Sequence, residues 1–147
     1  MFTIDASVYI NALNPAEEGS PESQAFLERV HRQGITVFSP TLLIVELAAV
    51  VARAFNDAQR GIAYARAVRQ LPGQVWLPLD GGLVDVAMTL AAQHQLRGAD
   101  AVYMAVAQQT GAILVTRDRQ QRTRLPASVR AMTPAEALTL LGGATPG

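Results

Sequence analysis

The stretch Ala112-Ile113-Leu114-Val115-Thr116 is a run of apolar and β-branched residues that leads, two positions later, to Asp118. A short continuous run of this kind is typical of a strand buried on both faces of a parallel sheet. The start of the chain repeats the pattern, because Phe2-Thr3-Ile4 leads directly into Asp5. Each run therefore predicts a buried strand with a carboxylate at its carboxyl end.

Outward from these two runs, strand patterns alternate with helical patterns. Further strands are predicted at residues 35–38, 75–79 and 129–132. Helix-start signals occur at Ser20-Pro21, Ser39-Pro40, Asp57, Asp80, Asp100 and the capping box at Thr133. Residues 119–124 are polar and predict a turn. The alternation indicates an α/β protein with a mostly parallel sheet and right-handed crossovers.

The amino-acid composition excludes several kinds of catalytic and structural site. The chain has 147 residues, of which twelve are arginine, twelve are acidic, and none is cysteine or lysine. Lack of cysteine excludes a disulfide scaffold, cysteine-ligated zinc and a thiol nucleophile. Lack of lysine excludes Schiff-base chemistry and the P-loop lysine. We expect a single domain at residues 1–141, followed by a flexible tail at residues 142–147.

The sequence carries no pattern for export or membrane insertion. The N-terminus has no basic region and reaches Asp5 too early for a signal peptide. The longest apolar stretch, residues 42–52, is interrupted by Glu46 and is too short to span a bilayer. We therefore expect a cytoplasmic protein that does not contact a membrane.

Four acidic residues stand where chemistry is expected in such a fold. Asp5 and Asp118 follow strands, Asp100 opens a helix, and Glu46 lies within an apolar helix. Ligands of open parallel sheets bind beyond the carboxyl ends of strands. Each aspartate has an alternative role as a helix N-cap. Glu46 has no such role; its alternatives are a solvated stripe on its helix or an arginine partner from elsewhere.

Together the four acids predict a site for a divalent cation. Clustered carboxylates repel one another and are tolerated when a cation occupies the cluster. A set of oxygen ligands without cysteine or a suitably placed histidine favours Mg²⁺ or Mn²⁺. Such an ion activates water and stabilises the charge of a phosphodiester transition state.

With these residues in place, the sequence resembles PIN-domain ribonucleases of the VapC-like toxin branch. The matching segments are residues 2–7, 43–47, 98–101 and 114–118, in the family's order, across about residues 1–141. The resemblance implies a three-layer α/β/α fold around a parallel sheet of about five strands. It also implies metal-dependent endonucleolytic cleavage of RNA, a cognate antitoxin protein as partner, and a homodimer.

The resemblance also implies roles for individual residues. The acids Asp5, Glu46, Asp100 and Asp118 would be the catalytic and metal-binding residues, and Ser7 and Thr116 would supply hydroxyls beside them. Relatives often carry a further acid and an aromatic residue after Asp118. This chain has Arg119-Gln120-Gln121-Arg122 there. The number of metal ions in the site, one or two, is therefore left open by the sequence.

Arginines concentrate near the predicted site. Residues 97–130 hold six arginines and two aspartates, a net charge of +4, whereas residues 1–30 have a net charge of −4. An arginine cluster beside an acidic metal site suits contact with a phosphate backbone, and a solvated loop is the alternative. Arg117 and Arg119 flank Asp118 and are predicted to bind RNA.

Two other functions are compatible with parts of this sequence. Phosphoryl-transfer domains of the receiver or haloacid-dehalogenase type also carry a strand-end aspartate, but they rely on a lysine that this chain lacks. A catalytically silent PIN-like module that binds RNA or protein stays open, although the presence of all four acids argues against it. Tyr103 and Trp76 are predicted to serve packing alone.

Overall fold

The computed structural model describes residues 1–142, which form five strands and eight helices. The predicted flexible tail lies outside the described residues except for Gly142. The strands are β1 (Phe2–Ile4), β2 (Val37–Pro40), β3 (Gln74–Leu77), β4 (Ile113–Val115) and β5 (Ala131–Met132). The helices are α1 (Ala6–Leu13), α2 (Ser20–Arg32), α3 (Leu42–Phe55), α4 (Ala58–Arg69), α5 (Gly81–His94), α6 (Gly98–Thr110), α7 (Arg119–Thr123) and α8 (Pro134–Leu140).

All five strands pair in parallel, in the order β3-β2-β1-β4-β5. β1 is the central strand, and Phe2 pairs with Val37 on one side and with Ile113 on the other. The chain runs outward from β1 to β3 and then returns to place β4 against the other side of β1. The strand order therefore reverses between β1 and β4, which is where ligands bind in open α/β sheets.

Helices cover both faces of the sheet, which gives the predicted α/β/α layers. Right-handed crossovers place α1–α2 and α3–α4 on one face and α5–α6 on the other. The residues of α6 from Ala101 to Ala107 are all buried, and this helix contacts β1, β2 and β4. On the opposite face, Phe26 of α2 packs edge-to-face on Phe2, with ring centroids 5.3 Å apart. The core thus holds β1 firmly from both sides.

Three local predictions differ from the structure. Ser39-Pro40 ends β2, and α3 begins at Leu42, because both residues pair with β3; the Ser39 hydroxyl also donates to Gln74 Oε1 at 2.8 Å. The predicted turn at residues 119–124 contains α7, since the Asp118 side chain accepts hydrogen bonds from the first backbone N–H groups of that helix. α6 begins at Gly98, so Asp100 lies in its first turn rather than at its start.

The connection between α1 and α2, residues 14–19, is held by a buried polar pair. Asn11 is 1% exposed; its Nδ2 donates to the Glu18 carbonyl at 3.0 Å, and its Oδ1 accepts from the Ser23 hydroxyl at 2.7 Å. These bonds fix the end of the connection where Gly19 adopts a positive φ of 80°. We refer to residues 14–19 as the α1–α2 turn. No helix within residues 1–142 has the length and apolar character needed to cross a membrane.

Candidate active site

Asp5 lies at the carboxyl end of β1, where the strand order reverses. It is 7% exposed and caps α1, with Oδ2 accepting from the Ser7 backbone N–H at 3.1 Å. The same oxygen accepts from the Thr116 hydroxyl at 3.3 Å. Oδ1 accepts no hydrogen bond from residues 1–142. Asp5 is therefore a helix cap through one oxygen and has the other oxygen available for a ligand.

The predicted hydroxyl residues join the ends of β1 and β4. Thr116 is fully buried; its hydroxyl donates to Asp5 and accepts from the Asp118 backbone N–H at 3.0 Å. The Ser7 hydroxyl accepts from the Arg117 backbone N–H at 3.1 Å. The hydrogen bonds of Thr116 and Arg117, which follow β4, thus reach Asp5 and Ser7, which follow β1. These two bonds set the spacing between Asp5 and Asp118.

Glu46 finds its partner on α6. Its Oε1 accepts a hydrogen bond of 2.6 Å from the Tyr103 hydroxyl, and the side chain is half-buried. The partner of the Glu46 carboxylate is therefore a tyrosine hydroxyl and not an arginine. Tyr103 does pack in the core, as predicted, but the prediction missed its hydroxyl. Tyr103 follows Asp100 by three positions, a spacing that places both on one helix face and was the available signal.

Asp100 lies in the first turn of α6 and is not an N-cap; Arg97 occupies the cap position. Burial, followed by repulsion from Asp5 and Asp118, raises the pKa of Asp100 to about 6, while nearby Arg97 opposes the rise. Glu46 adds to the repulsion. The Asp100 carboxyl therefore lies within electrostatic reach of the other three acids.

The pKa values of Asp5 and Glu46 also rise. Burial is the main cause for Asp5, with repulsion from Asp118 added, while hydrogen bonds from Ser7 and Thr116 pull its pKa down. Burial also raises the pKa of Glu46, and its hydrogen bond from Tyr103 opposes the rise. Three half-buried or buried carboxyls that disfavour their own charge are typical of a functional site.

Gln121 is a site residue that the sequence reasoning missed. It is fully buried on α7, and its Nε2 donates to the Asp100 backbone carbonyl at 3.2 Å. Its own backbone N–H lies 3.4 Å from Asp118 Oδ1. Gln121 thus connects the helices that carry two of the acids. A glutamine within a polar run gives no sequence signal for this role.

The arginine cluster divides into two kinds of side chain. Arg122 Nη1 donates to the Thr116 carbonyl at 3.0 Å, and Arg124 Nη1 donates to the Gln95 carbonyl at 2.7 Å. These two guanidinium groups tie together backbone segments. Arg119 is exposed and Arg117 is half-buried, and neither side chain donates a hydrogen bond within residues 1–142. The latter two are the pair predicted to contact RNA.

The side chains of the four acids do not have the geometry of a metal site in this structure. Within residues 1–142, no three acidic or histidine side chains converge closely enough to ligate one ion. The donor set consists of carboxylate oxygens, which suits a hard cation, and Asp5 presents one oxygen without a hydrogen bond. Metal binding by Asp5, Glu46, Asp100 and Asp118 therefore stays a prediction.

Tyr103→Phe tests the contact with Glu46 directly. Removing the hydroxyl deletes a hydrogen bond that favours the charged carboxylate, so the pKa of Glu46 should rise further. Carbon-detected NMR titration of the glutamate carboxyls measures this shift. Tyr64→Phe on α4 is the matched control, because it removes a half-buried hydroxyl elsewhere. An unchanged Glu46 titration in Tyr103→Phe would contradict the assigned contact.

This chain is similar in sequence to one known protein family. The sequence model of the PIN domain matches residues 2–124, a range that includes all four acids. The search of curated proteins gives no match.

Solved structures share the fold. Mycobacterium tuberculosis VapC20, a toxin that cleaves the sarcin-ricin loop, superposes with a TM-score of 0.71 at 16% identity, covering 88% of this chain and 99% of that chain. FitAcB from Neisseria gonorrhoeae gives 0.68 at 22% identity, covering 91% and 98%. A toxin–antitoxin complex from Klebsiella pneumoniae gives 0.65 at 19% identity, with the same coverages.

These likenesses confirm the predicted three-layer fold with its five-stranded parallel sheet. The family match spans most of the chain and contains Asp5, Glu46, Asp100 and Asp118, together with the Ser7 and Thr116 hydroxyls. The chain belongs to the PIN domain family.

Proposed function

We propose that this protein is a divalent-metal-dependent endoribonuclease that hydrolyses RNA phosphodiester bonds. One observation carries the proposal: a PIN domain brings Asp5, Glu46, Asp100 and Asp118 within electrostatic reach where its strand order reverses. Burial, with mutual repulsion added, raises the pKa values of Asp5, Glu46 and Asp100. A cation would relieve that repulsion.

In this proposal, Mg²⁺ or Mn²⁺ is held by oxygens of the four acids. The bound ion supplies activation of water and stabilisation of phosphodiester charge. The protein's own residues orient the carboxylates: Thr116 and Ser7 hold Asp5, Tyr103 holds Glu46, and the cap of α7 holds Asp118. Arg117 and Arg119 bind the RNA backbone beside the acids.

We further propose that the nuclease is the toxin of a VapBC-type toxin–antitoxin pair and acts in the cytoplasm. The support is structural likeness to chains from such complexes, including that from Klebsiella pneumoniae. The partner would be a cognate antitoxin protein. We also propose a homodimer, for which the exposed apolar side chains Leu79, Val84 and Met88 offer a surface.

Cleavage of a structured RNA tests the nuclease. Wild-type protein with Mg²⁺ or Mn²⁺ should cut the RNA internally, and excess EDTA should abolish cutting. Glu46→Gln should reduce it as strongly as EDTA. Cutting that persists in EDTA would overturn metal dependence. Tight RNA binding without any cutting would favour the silent binding module instead.

Metal binding can be measured without activity. Mg²⁺ should raise the melting temperature of wild-type protein, because a ligand at about 100 times its Kd stabilises the folded state by about 2.7 kcal/mol. The rise should be much smaller in Glu46→Gln. Glu136→Gln on α8 is the matched control and should respond like the wild type. An equal response in all three proteins would place metal binding elsewhere.

The toxin role has its own test. Expression of the chain alone should arrest growth, and co-expression of a small neighbouring protein should restore it. Glu46→Gln should be harmless. Growth arrest by that variant would separate toxicity from the acidic site, while harmless wild-type expression would contradict the toxin role and leave the nuclease to the RNA assay.

A further inference from the structure

The guanidinium of Arg117 rests on the backbone of the α1–α2 turn. A Cβ placed on Gly19 would overlap Arg117 Nη1 and lie 3.0 Å from Cζ and 3.3 Å from Nη2. The guanidinium therefore occupies the space that any side chain at position 19 would take. Gly19 also has a φ of +80°, which L-residues rarely adopt.

Both sides of this contact are anchored. On the turn, the buried Asn11 holds the Glu18 carbonyl, one residue before Gly19. On the arginine side, the Arg117 backbone N–H donates to the Ser7 hydroxyl, and the neighbours of Arg117 are Thr116 and Asp118. The backbone of Arg117 is thus fixed between Thr116 and Asp118, and its side chain extends from there to Gly19.

The N–H groups of the Arg117 guanidinium have no hydrogen-bond acceptor within residues 1–142. Within residues 1–142, the one ion pair joins Glu28 and Arg32, so Arg117 forms no ion pair, although Glu17 and Glu18 lie in the same turn as Gly19. The Arg117 side chain donates no hydrogen bond in the described part of the chain, unlike Arg122 and Arg124. A guanidinium group that lies in a defined place without a hydrogen-bond partner is suited to bidentate binding of a phosphate.

We propose that Gly19 is a positioning residue for Arg117: by lacking a side chain, it lets the α1–α2 turn hold the guanidinium where it binds a phosphate of the RNA strand entering the acidic site. This inference rests on the proposed nuclease function. It assigns Gly19 and the α1–α2 turn to substrate binding, although neither contains a residue of the acidic cluster.

Gly19→Ala tests the proposal. The three atoms nearest to the new methyl group belong to the end of the Arg117 side chain and not to the backbone, so the fold should persist while the guanidinium moves away. We expect KM for RNA cleavage to rise about tenfold, the size of one lost charge-assisted contact, with kcat changed less than twofold. RNA affinity, measured by fluorescence anisotropy in the non-cleaving Glu46→Gln background, should fall by the same factor.

Gly34→Ala is the matched control. Gly34 has a φ of +61°, so alanine there meets a similar backbone strain, but no atom lies within 4 Å of its added Cβ. This variant should keep the wild-type KM and RNA affinity. An equal effect of both substitutions would overturn the proposal, because the effect would then come from backbone strain alone.

Arg117→Gln completes the test. It should weaken RNA binding and reduce the slope of log affinity against log salt by about 0.7, as expected for one lost contact to a single-stranded phosphate. In the Arg117→Gln background, Gly19→Ala should have no further effect on binding. A full additional loss would overturn the proposal. Absence of cleavage by the wild type would refute the nuclease, whereas the binding data decide the Gly19–Arg117 contact separately.

Discussion

Asp5→Asn is expected to slow RNA cleavage by about a thousandfold while leaving the fold intact. Asparagine is as good an N-cap as aspartate, and its amide oxygen can still accept from the Ser7 N–H and the Thr116 hydroxyl. The substitution therefore removes mainly the negative charge at the point where β1 ends. Single-turnover cleavage at saturating Mg²⁺ measures the loss, and circular dichroism checks the fold.

Asp57→Asn is the matched control for this change. Asp57 also caps a helix, accepting from the Arg60 N–H at 3.1 Å, but it is exposed at the start of α4, away from the acids. Its substitution should leave the cleavage rate within about twofold of wild type, because surface caps act on stability. Cleavage by Asp5→Asn at a rate close to that of Asp57→Asn would remove Asp5 from the reaction.

Asp100→Asn is expected to change activity and stability in opposite directions. Loss of a carboxylate from the cluster should slow cleavage by about a hundredfold. The same change should stabilise the metal-free protein, because it removes a charge that burial and three neighbouring acids disfavour. Solvent screening of this half-exposed group limits the gain to about 1 kcal/mol, or about 3 °C in Tm.

The pH dependence of that gain follows from the pKa of Asp100, which rises from 3.8 to about 6 on folding. A raised carboxyl pKa means that the folded protein binds more protons than the unfolded chain, so wild-type stability falls as pH rises between these values. The Tm difference between Asp100→Asn and wild type should be small near pH 4 and complete above about pH 6. Melting curves in EDTA measure it.

Asp85→Asn on α5 controls for the general effect of removing an acid, because Asp85 is exposed. It should leave Tm nearly unchanged across the same pH range. If Asp100→Asn lowered Tm at neutral pH, the carboxylate would be stabilising the fold, and the proposed repulsion within the cluster would be wrong.

Much of the fold could be predicted because its signals are local. The apolar runs that end at Asp5 and Asp118 mark two buried strands, and the capping box at Thr133 marks the last helix, as the structure confirms. Ser39-Pro40 misled because serine before proline is also compatible with the end of a strand. Pairing with β3, which places Ser39 opposite Trp76 and Pro40 opposite Leu77, decides between the two.

The sequence singles out the four acids of the candidate site, whose roles stay a prediction, but not the residues that contact them. Strand ends and helix patterns singled out the four carboxylates, since each departs from its own local context. The Tyr103 hydroxyl and the Gln121 amide contact the site through bonds that join distant segments, at 2.6 Å to Glu46 and 3.2 Å to the Asp100 carbonyl. The spacing of Tyr103 from Asp100 indicates a shared helix face, but the bonds themselves depend on how α3, α6 and α7 pack.

The place of β1 in the sheet bears on how the protein is made. The central strand β1 is synthesised before its partner β4, and the Thr116–Asp5 hydrogen bond spans 111 residues. At about 5–20 residues per second, many seconds of translation separate the two halves of the acidic cluster. A nascent chain therefore carries no complete acidic cluster until the segment that contains Asp118 has been synthesised.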